Sequence, residues 1–237
     1  MPPSSDQLMI GLREKDPDRY LTALFAPEPA RGRLALLYGV NHELARASEV
    51  ASEPMLALIR LHWWREVVEG EVRTHELATP LSAALNEGLL PREGVLALID
   101  ARDRQAEGLE PDDVMAFARA TGGKLARMAG QCLGVDAPEL EDFGTAQALV
   151  GLVRNAEHRR AHGLEPRPED FAPREALLAE AAKLLPCKPP KGGLAAWVGA
   201  ALVKRDLARL RAGKPCPHKR GAGDVCALFW AGLIERV

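Results

Sequence analysis

The sequence predicts an all-α fold, and three observations predict it. Nearly half of the 237 residues are hydrophobic, yet aromatics make up only 5% of the chain and Ala and Leu dominate, a composition that favours helix over sheet. Helix start and stop signals recur at short intervals, with Pro and an acid where a segment opens and Gly where it closes. No stretch alternates apolar and polar residues in the manner of a strand. The length suits a single helical domain over residues 1–237 with a sizeable core, with residues 1–15 as a loosely attached N-terminal segment.

The elements follow in order. "DPDRYLTALFA" opens on Asp16 as a candidate N-cap, with Pro17 at the first helical position. The turn "APEPARG" leads into a long helix from about Arg31 to Ala51. Ser52 then caps "EPMLALIRLHWWREVVEGE", and "PLSAALNEG" reads as a short helix. "PREGVLALIDARDRQAEG", "PDDVMAFARATGGKLARMAGQCLG" and "APELEDFGTAQALVGLVRNAEHRRAHG" each begin on Pro with acids nearby and end on Gly. "REALLAEAAKLL", "GGLAAWVGAALVKRDLARLRAG" and "GDVCALFWAGLIERV" complete the set, with "KLLPCKPPKGG" as the best linker candidate.

Composition also excludes classes of function. The longest apolar run, Gly192–Val203, is too short to span a membrane, and the N-terminus lacks the basic start and apolar block of a signal peptide. Cytoplasmic placement is the expectation, with the inner face of the cytoplasmic membrane as a peripheral location. Cys132, Cys187, Cys216 and Cys226 form no CxxC pair and read as reduced thiols. A formal net charge of −2 gives no reason to expect nucleic acid as a partner. From Ala181 onward, however, 11 Lys and Arg face 3 Asp and Glu. That basic third is either a solvated surface or a contact for an anionic membrane or an acidic partner. The last helix, with Phe229 and Trp230, is either core, the favoured reading, or a surface-bound helix.

Helical phasing sorts "NHELARASE", Asn41–Glu49, at about 100° per residue. Leu34, Leu37, Val40, Leu44 and Ala51 define one apolar face, on which Asn41 and Ser48 also fall, with Ala45 near it. Glu43 and Arg46 fall on the far side, as solvated residues able to pair at i,i+3, as are Arg46 and Glu49. Inward amides and hydroxyls need partners, so Asn41 and Ser48 meet another polar helix or a wet cavity. A second stripe, Gly144, Ala148, Gly151, Asn155, Arg159 and His162, is small at one end and polar at the other. Such a stripe either packs very closely or leaves room for a ligand. His158 and His162 have a workable metal-ligand spacing, but no third ligand accompanies them, and a basic helix end is the favoured reading.

Four segments together resemble the squalene/phytoene synthase family of trans-prenyltransferases: "DPDRYLTALFAPEPARGRLALLYGVNHELARASE", "EPMLALIRLHWWREVVEG", "FARATGGKLARMAGQCLG" and "GTAQALVGLVRNAEHRRAHG". "RLHWWRE", Arg60–Glu66, is the most specific match. The resemblance implies an all-α isoprenoid synthase fold with a central apolar cavity, and head-to-head condensation of two prenyl diphosphates held by magnesium. In the family two DxxxD-type motifs on facing helices supply the metal ligands. Aligned through Tyr38, the first motif falls on Ala45 to Glu49. Aligned through Arg154, the acids of the second fall on Asn155, His158 and Arg159, and the upstream Gln and Asn near Ala148 and Gly151.

Only Glu49 is acidic at an expected position, and Glu157 lies one residue out of phase. The resemblance therefore implies a member without catalysis, cofactor or metal, akin to the branch of the family that serves assembly of respiratory complex I. Its expected partners are respiratory complex subunits or an isoprenoid or other lipid, with membrane contact through the basic C-terminal third. Arg159 or His162 would then meet an anionic head group directly. The alternative is an active prenyl transferase using Mg²⁺ on Glu49 and Glu157. The candidate cavity residues are Tyr38, Asn41, Ala45, Ser48, Glu49, Ala148, Gly151, Asn155, Arg159 and His162.

Overall fold

The computed structural model describes residues 3–49, 53–185, 190–217 and 220–234, and among them there is no β-strand. Val50, Ala51, Ser52 and Cys187, and with them the proposed Ser52 cap and the middle of the linker candidate, lie outside the described residues.

The helices are α1 (Ser5–Lys15), α2 (Pro17–Ala23), α3 (Ala30–Glu49), α4 (Pro54–Glu69), α5 (Ala78–Asn86), α6 (Arg92–Gly108), α7 (Val114–Ala118), α8 (Lys124–Cys132), α9 (Pro138–Ala161), α10 (Arg174–Leu184), α11 (Leu194–Trp197), α12 (Ala200–Arg211) and α13 (Ala222–Ile234). The starts obey the local signals. Asp16 accepts a hydrogen bond from the Arg19 backbone N–H at 3.0 Å, with Pro17 inside the first turn. α9 opens on Pro138 with Glu139 and Glu141 in its first turn and ends on His158, Arg159 and Arg160, an arrangement that complements the helix dipole at both ends.

Two expected single helices are interrupted. The segment around Gly199 divides into α11 and α12. The one ending on Cys132 carries a π-helical turn, Arg119–Gly123, between α7 and α8. The wider π turn brings backbone out of the regular ladder. Here it meets α9: a Cβ built on Gly144 would lie 2.1 Å from the Gly122 carbonyl oxygen, and one on Gly122 would lie 2.3 Å from the Gly144 oxygen. Only glycines permit that backbone contact.

α3 packs against α1, α4, α6 and α8, while α9 packs against the π turn, α7, α8, α10 and α12. The core they share is mostly leucine. Leu34, Leu37 and Leu44 of α3, Leu61 of α4, Leu98 of α6, and Leu140 and Leu149 of α9 are all at most 2% exposed. Each such side chain contributes roughly 2 kcal/mol by burial.

Three expectations are corrected. Residues 4–15 are not loosely attached: a Ser4–Gln7 capping box starts α1, and Met9 and Leu12 are buried. α1 also covers the side of α3 that phasing gave to solvent. Glu43 is half-buried and takes Lys15 at 2.9 Å, and among the described residues neither Glu43 nor Glu49 forms an ion pair with Arg46. Finally, Phe229 and Trp230 are not core, being 44% and 66% exposed.

Candidate functional site

The residues singled out on α3 and α9 lead to a polar region where the C-terminal ends of both helices meet α6 and the short 3-10 turn Pro168–Phe171. On α3, Asn41 is buried, Ala45 and Ser48 are half-buried and Glu49 is exposed. The Ser48 hydroxyl oxygen is buried without a hydrogen-bond partner, while its backbone carbonyl accepts from Arg167 at 3.4 Å. On α9, Ala148 and Gly151 are half-buried, whereas Asn155, and His162 just past the helix end, are exposed. His162 Nδ1 lies 2.8 Å from the His158 carbonyl oxygen, which closes the helix end on itself.

Arg159 is the centre of the arrangement. Its Nε donates to Asp170 Oδ2 at 2.7 Å and its Nη2 to Asp170 Oδ1, a two-point pair whose side chains are 14% and 7% exposed. Asp170 Oδ2 also accepts from the Arg167 backbone N–H at 3.0 Å. Burial pulls the Asp170 carboxyl upward, but the hydrogen bonds from Arg159 and the Arg167 backbone outweigh it and hold the group below the usual carboxylate range. Beside it, buried Glu169 accepts from Gln105 at 3.1 Å.

Gln105 in turn accepts from Arg102 at 2.9 Å, and the Arg102 guanidinium lies 5.2 Å from the Phe117 ring centroid. Burial pushes Arg102 down to about 10; Glu49 and Glu169 oppose the fall, Arg19 and Arg167 add to it. Arg102 therefore stays a cation at neutral pH. On α2, Arg19 pairs with Asp16 at 2.6 Å and stacks over Tyr38 at 5.6 Å. Burial drives the Tyr38 hydroxyl well above its ordinary pKa, so it remains a neutral phenol.

Beside Arg19 lies a small cleft. Arg19, Thr22, Tyr38, Gly122, Phe143 and Gln147 line it, and its volume is about 10 Å³. That is room for about one water, whereas ligand pockets run to roughly 300–1,000 Å³. Of the expected cavity residues, only Tyr38 lines it. A larger hollow of about 260 Å³ lies on α4, α5 and the start of α6, lined by Arg73, Thr74, Ser82 and Arg92 among others, and holds none of the expected residues.

The donor set does not fit a magnesium cluster. Mg²⁺ wants carboxylate and water oxygens. The aligned positions offer Ala45, Glu49, Asn155 and Arg159, and Glu157 is turned to Arg174 at 3.0 Å. Among the described residues no three His, Cys, Asp or Glu side chains are grouped to hold a metal ion. The arrangement has instead the chemistry of an internally neutralised patch. Arg19, Arg102, Arg159 and Arg167 stand with Asp16, Glu49, Glu169 and Asp170.

Sequence reading had not singled out Arg19, Arg102, Gln105, Glu169 or Asp170. The last two sit in "PRPEDF", outside any helical stripe, and the only signal for them was an acidic pair in a loop after a basic helix end.

The sequence profile of squalene/phytoene synthase matches residues 12–164. Among curated proteins, "NADH dehydrogenase (ubiquinone) complex I, assembly factor 6" of Mus musculus is 25% identical over 154 residues, which cover 60% of this chain and 46% of that protein. The proteins of the same name from Rattus norvegicus and Homo sapiens are 26% and 24% identical over the same coverage. The matched segment thus spans about half the length of these relatives. The crystal structure of a dehydrosqualene synthase in complex with ligand superposes with a TM-score of 0.72 over 98% of this chain and 96% of that one, at 14% identity, which is a likeness of fold.

Proposed function

This chain belongs to the squalene/phytoene synthase family, and on that premise we propose that it is a non-catalytic member that assists assembly of respiratory complex I, with components of that complex as its partners. The observation that carries the reading is Arg159. It falls where the resemblance to the family leads us to expect a metal-binding acid, and it is bound at two points to Asp170. That pairing leaves an arginine in place of a carboxylate at this position and takes up the nearby Asp170, so neither offers a free oxygen ligand to magnesium. Ala45 on α3 supports the same reading. The likeness to complex I assembly factor 6 supplies the direction of the alternative role.

The test is genetic. Deleting the gene lowers the amount of assembled complex I in the native host, and a copy with Glu49→Gln and Glu157→Gln restores it, because neither carboxylate is needed for metal. Unchanged complex I in the deletion strain overturns the assembly role. Pyrophosphate release from farnesyl or geranylgeranyl diphosphate by the purified protein with Mg²⁺ overturns the non-catalytic reading.

A further inference from the structure

The last helix, α13, is apolar on two sides and uses one. Its inner side is fixed to the protein. Leu228 is fully buried with Val198 and Leu202, and Gly232 lies so close to Phe25 that a Cβ there would be 2.3 Å from the ring. Buried Asp224, in the first turn, takes Arg205 at 2.6 Å and Arg209 at 2.8 Å on α12. The helix cannot roll over without breaking these contacts.

The outer side carries Cys226, Phe229, Trp230, Leu233 and Ile234, all exposed, with Phe229 at its edge, where its ring also meets Phe25 at 5.3 Å between centroids. The spacing is i, i+3, i+4, i+7, i+8, one continuous apolar stripe of a helix. Trp230 is 66%, Leu233 58% and Ile234 59% exposed. Water-soluble surfaces rarely leave such a stripe bare.

Among the described residues from 190 on, the exposed charge is of one sign, and part of it lies on α12, which packs against α13. From residue 190 on, the acids among the described residues are Asp206 and Asp224, each 2% exposed and tied to arginines. Lys191, Lys204, Arg205, Arg211 and Lys214 are exposed. The visible charge of this region is therefore wholly positive, complementary to an anionic surface.

We propose that the outer face of α13 docks on an anionic lipid bilayer, with the helix lying flat and its inner face still on the protein. A flat-lying helix with Trp and Phe toward the acyl boundary and cations nearby is the arrangement of interfacial binding. Among the described residues no helix, α13 with its 13 residues included, is long and apolar enough to cross a membrane. The docking surface stands independently of the assembly role, since vesicle binding and complex I abundance are read separately.

The full chain is mixed with vesicles of phosphatidylcholine alone or with added phosphatidylglycerol and cardiolipin. The expected result is co-sedimentation with the anionic vesicles only, weakened at high salt, with a blue shift of tryptophan emission. Trp63, Trp64 and Trp197 are half-buried or buried, so the shift belongs to Trp230. Trp230→Phe keeps the binding and abolishes the shift. The double variant Leu233→Ser/Ile234→Ser, at two residues more than half exposed, loses at least about tenfold in partitioning, with far-UV circular dichroism checking that it remains folded. Absence of co-sedimentation overturns the proposal, as does equal binding to neutral vesicles or binding unchanged in the double variant. A dimer in sedimentation velocity that the double variant dissociates, without vesicle binding, overturns it in favour of a second copy of the chain.

Discussion

At Gly144 the small-residue stripe of α9 lies backbone to backbone on Gly122. About two turns further on, at Gly151, the same stripe meets nothing within 4 Å. Beyond that, Asn155 stands in solvent and Arg159 is folded back onto Asp170. One face of one helix is therefore tightly closed at one end and open and ion-paired at the other. The first half holds α9 on the π turn and so preserves the fold. The second half is where the resemblance to the family leads one to expect metal ligands, and it carries Asn155 and Arg159. Substitutions there are expected to cost the fold little, because the close backbone packing lies in the first half.

The sharpest way to break this contrast is Gly144→Ala. The added Cβ meets the Gly122 backbone and the Ala126 Cβ, neither of which is a flexible side chain that can yield, so a loss of about 3 kcal/mol is expected. For a chain of this size that is a fall in Tm of roughly 6–12 °C, measured by differential scanning calorimetry. A drop under about 2 °C would mean that the Gly122–Gly144 contact is not the anchor.

Next in size is Arg159→Ala, which leaves Asp170 largely buried beside Glu169 with one cation fewer. About 2–3 kcal/mol is expected, below the range for fully buried pairs because Arg159 retains some exposure. Asp170→Asn tests the same pair through pH. The Asp170 carboxyl lies below the ordinary carboxylate value when folded, so its contribution is fully present above the unfolded pKa of about 3.9 and is lost as pH falls through the folded value. The stability gap between wild type and Asp170→Asn should be full at pH 6 and close below about pH 4. A gap that stays constant down to pH 2.5 in urea titrations would show that charge is not what holds the pair.

These residues also mark where sequence reading stops. Helical periodicity placed Asn41 inward and Arg46 outward, as the structure has them, because both facts depend only on α3 itself. It gave Glu43 to solvent because nothing in α3 announces that α1 will cover that side and bring Lys15 to it. The stripe on α9 was visible as small residues, but whether it closed or opened depended on Gly122, whose approach requires the π turn. Asp170 is invisible to periodicity for a related reason: α9 ends at Ala161, so no continuous helix joins Asp170 to Arg159 and helical phasing cannot relate them. Phe229 and Trp230 were assigned to the core because a helix apolar all round is usually buried, and α13 is the exception.

The smallest effects are expected at the open end. Gly151→Ala adds a methyl to free space within a helix and should stabilise by about 0.5–1 kcal/mol through helix propensity alone, opposite in sign to Gly144→Ala. Glu49→Gln should change stability by less than about 0.5 kcal/mol, since the side chain is exposed and among the described residues forms no ion pair. It is nevertheless the substitution that bears most directly on chemistry. If Glu49 were the surviving half of a metal site, Mg²⁺ would raise the Tm of the wild-type protein and not of Glu49→Gln. The neutralised patch of Arg19, Arg102, Arg159 and Arg167 predicts instead that millimolar Mg²⁺ shifts neither, because the four cations already occupy the electrostatic role a metal would have.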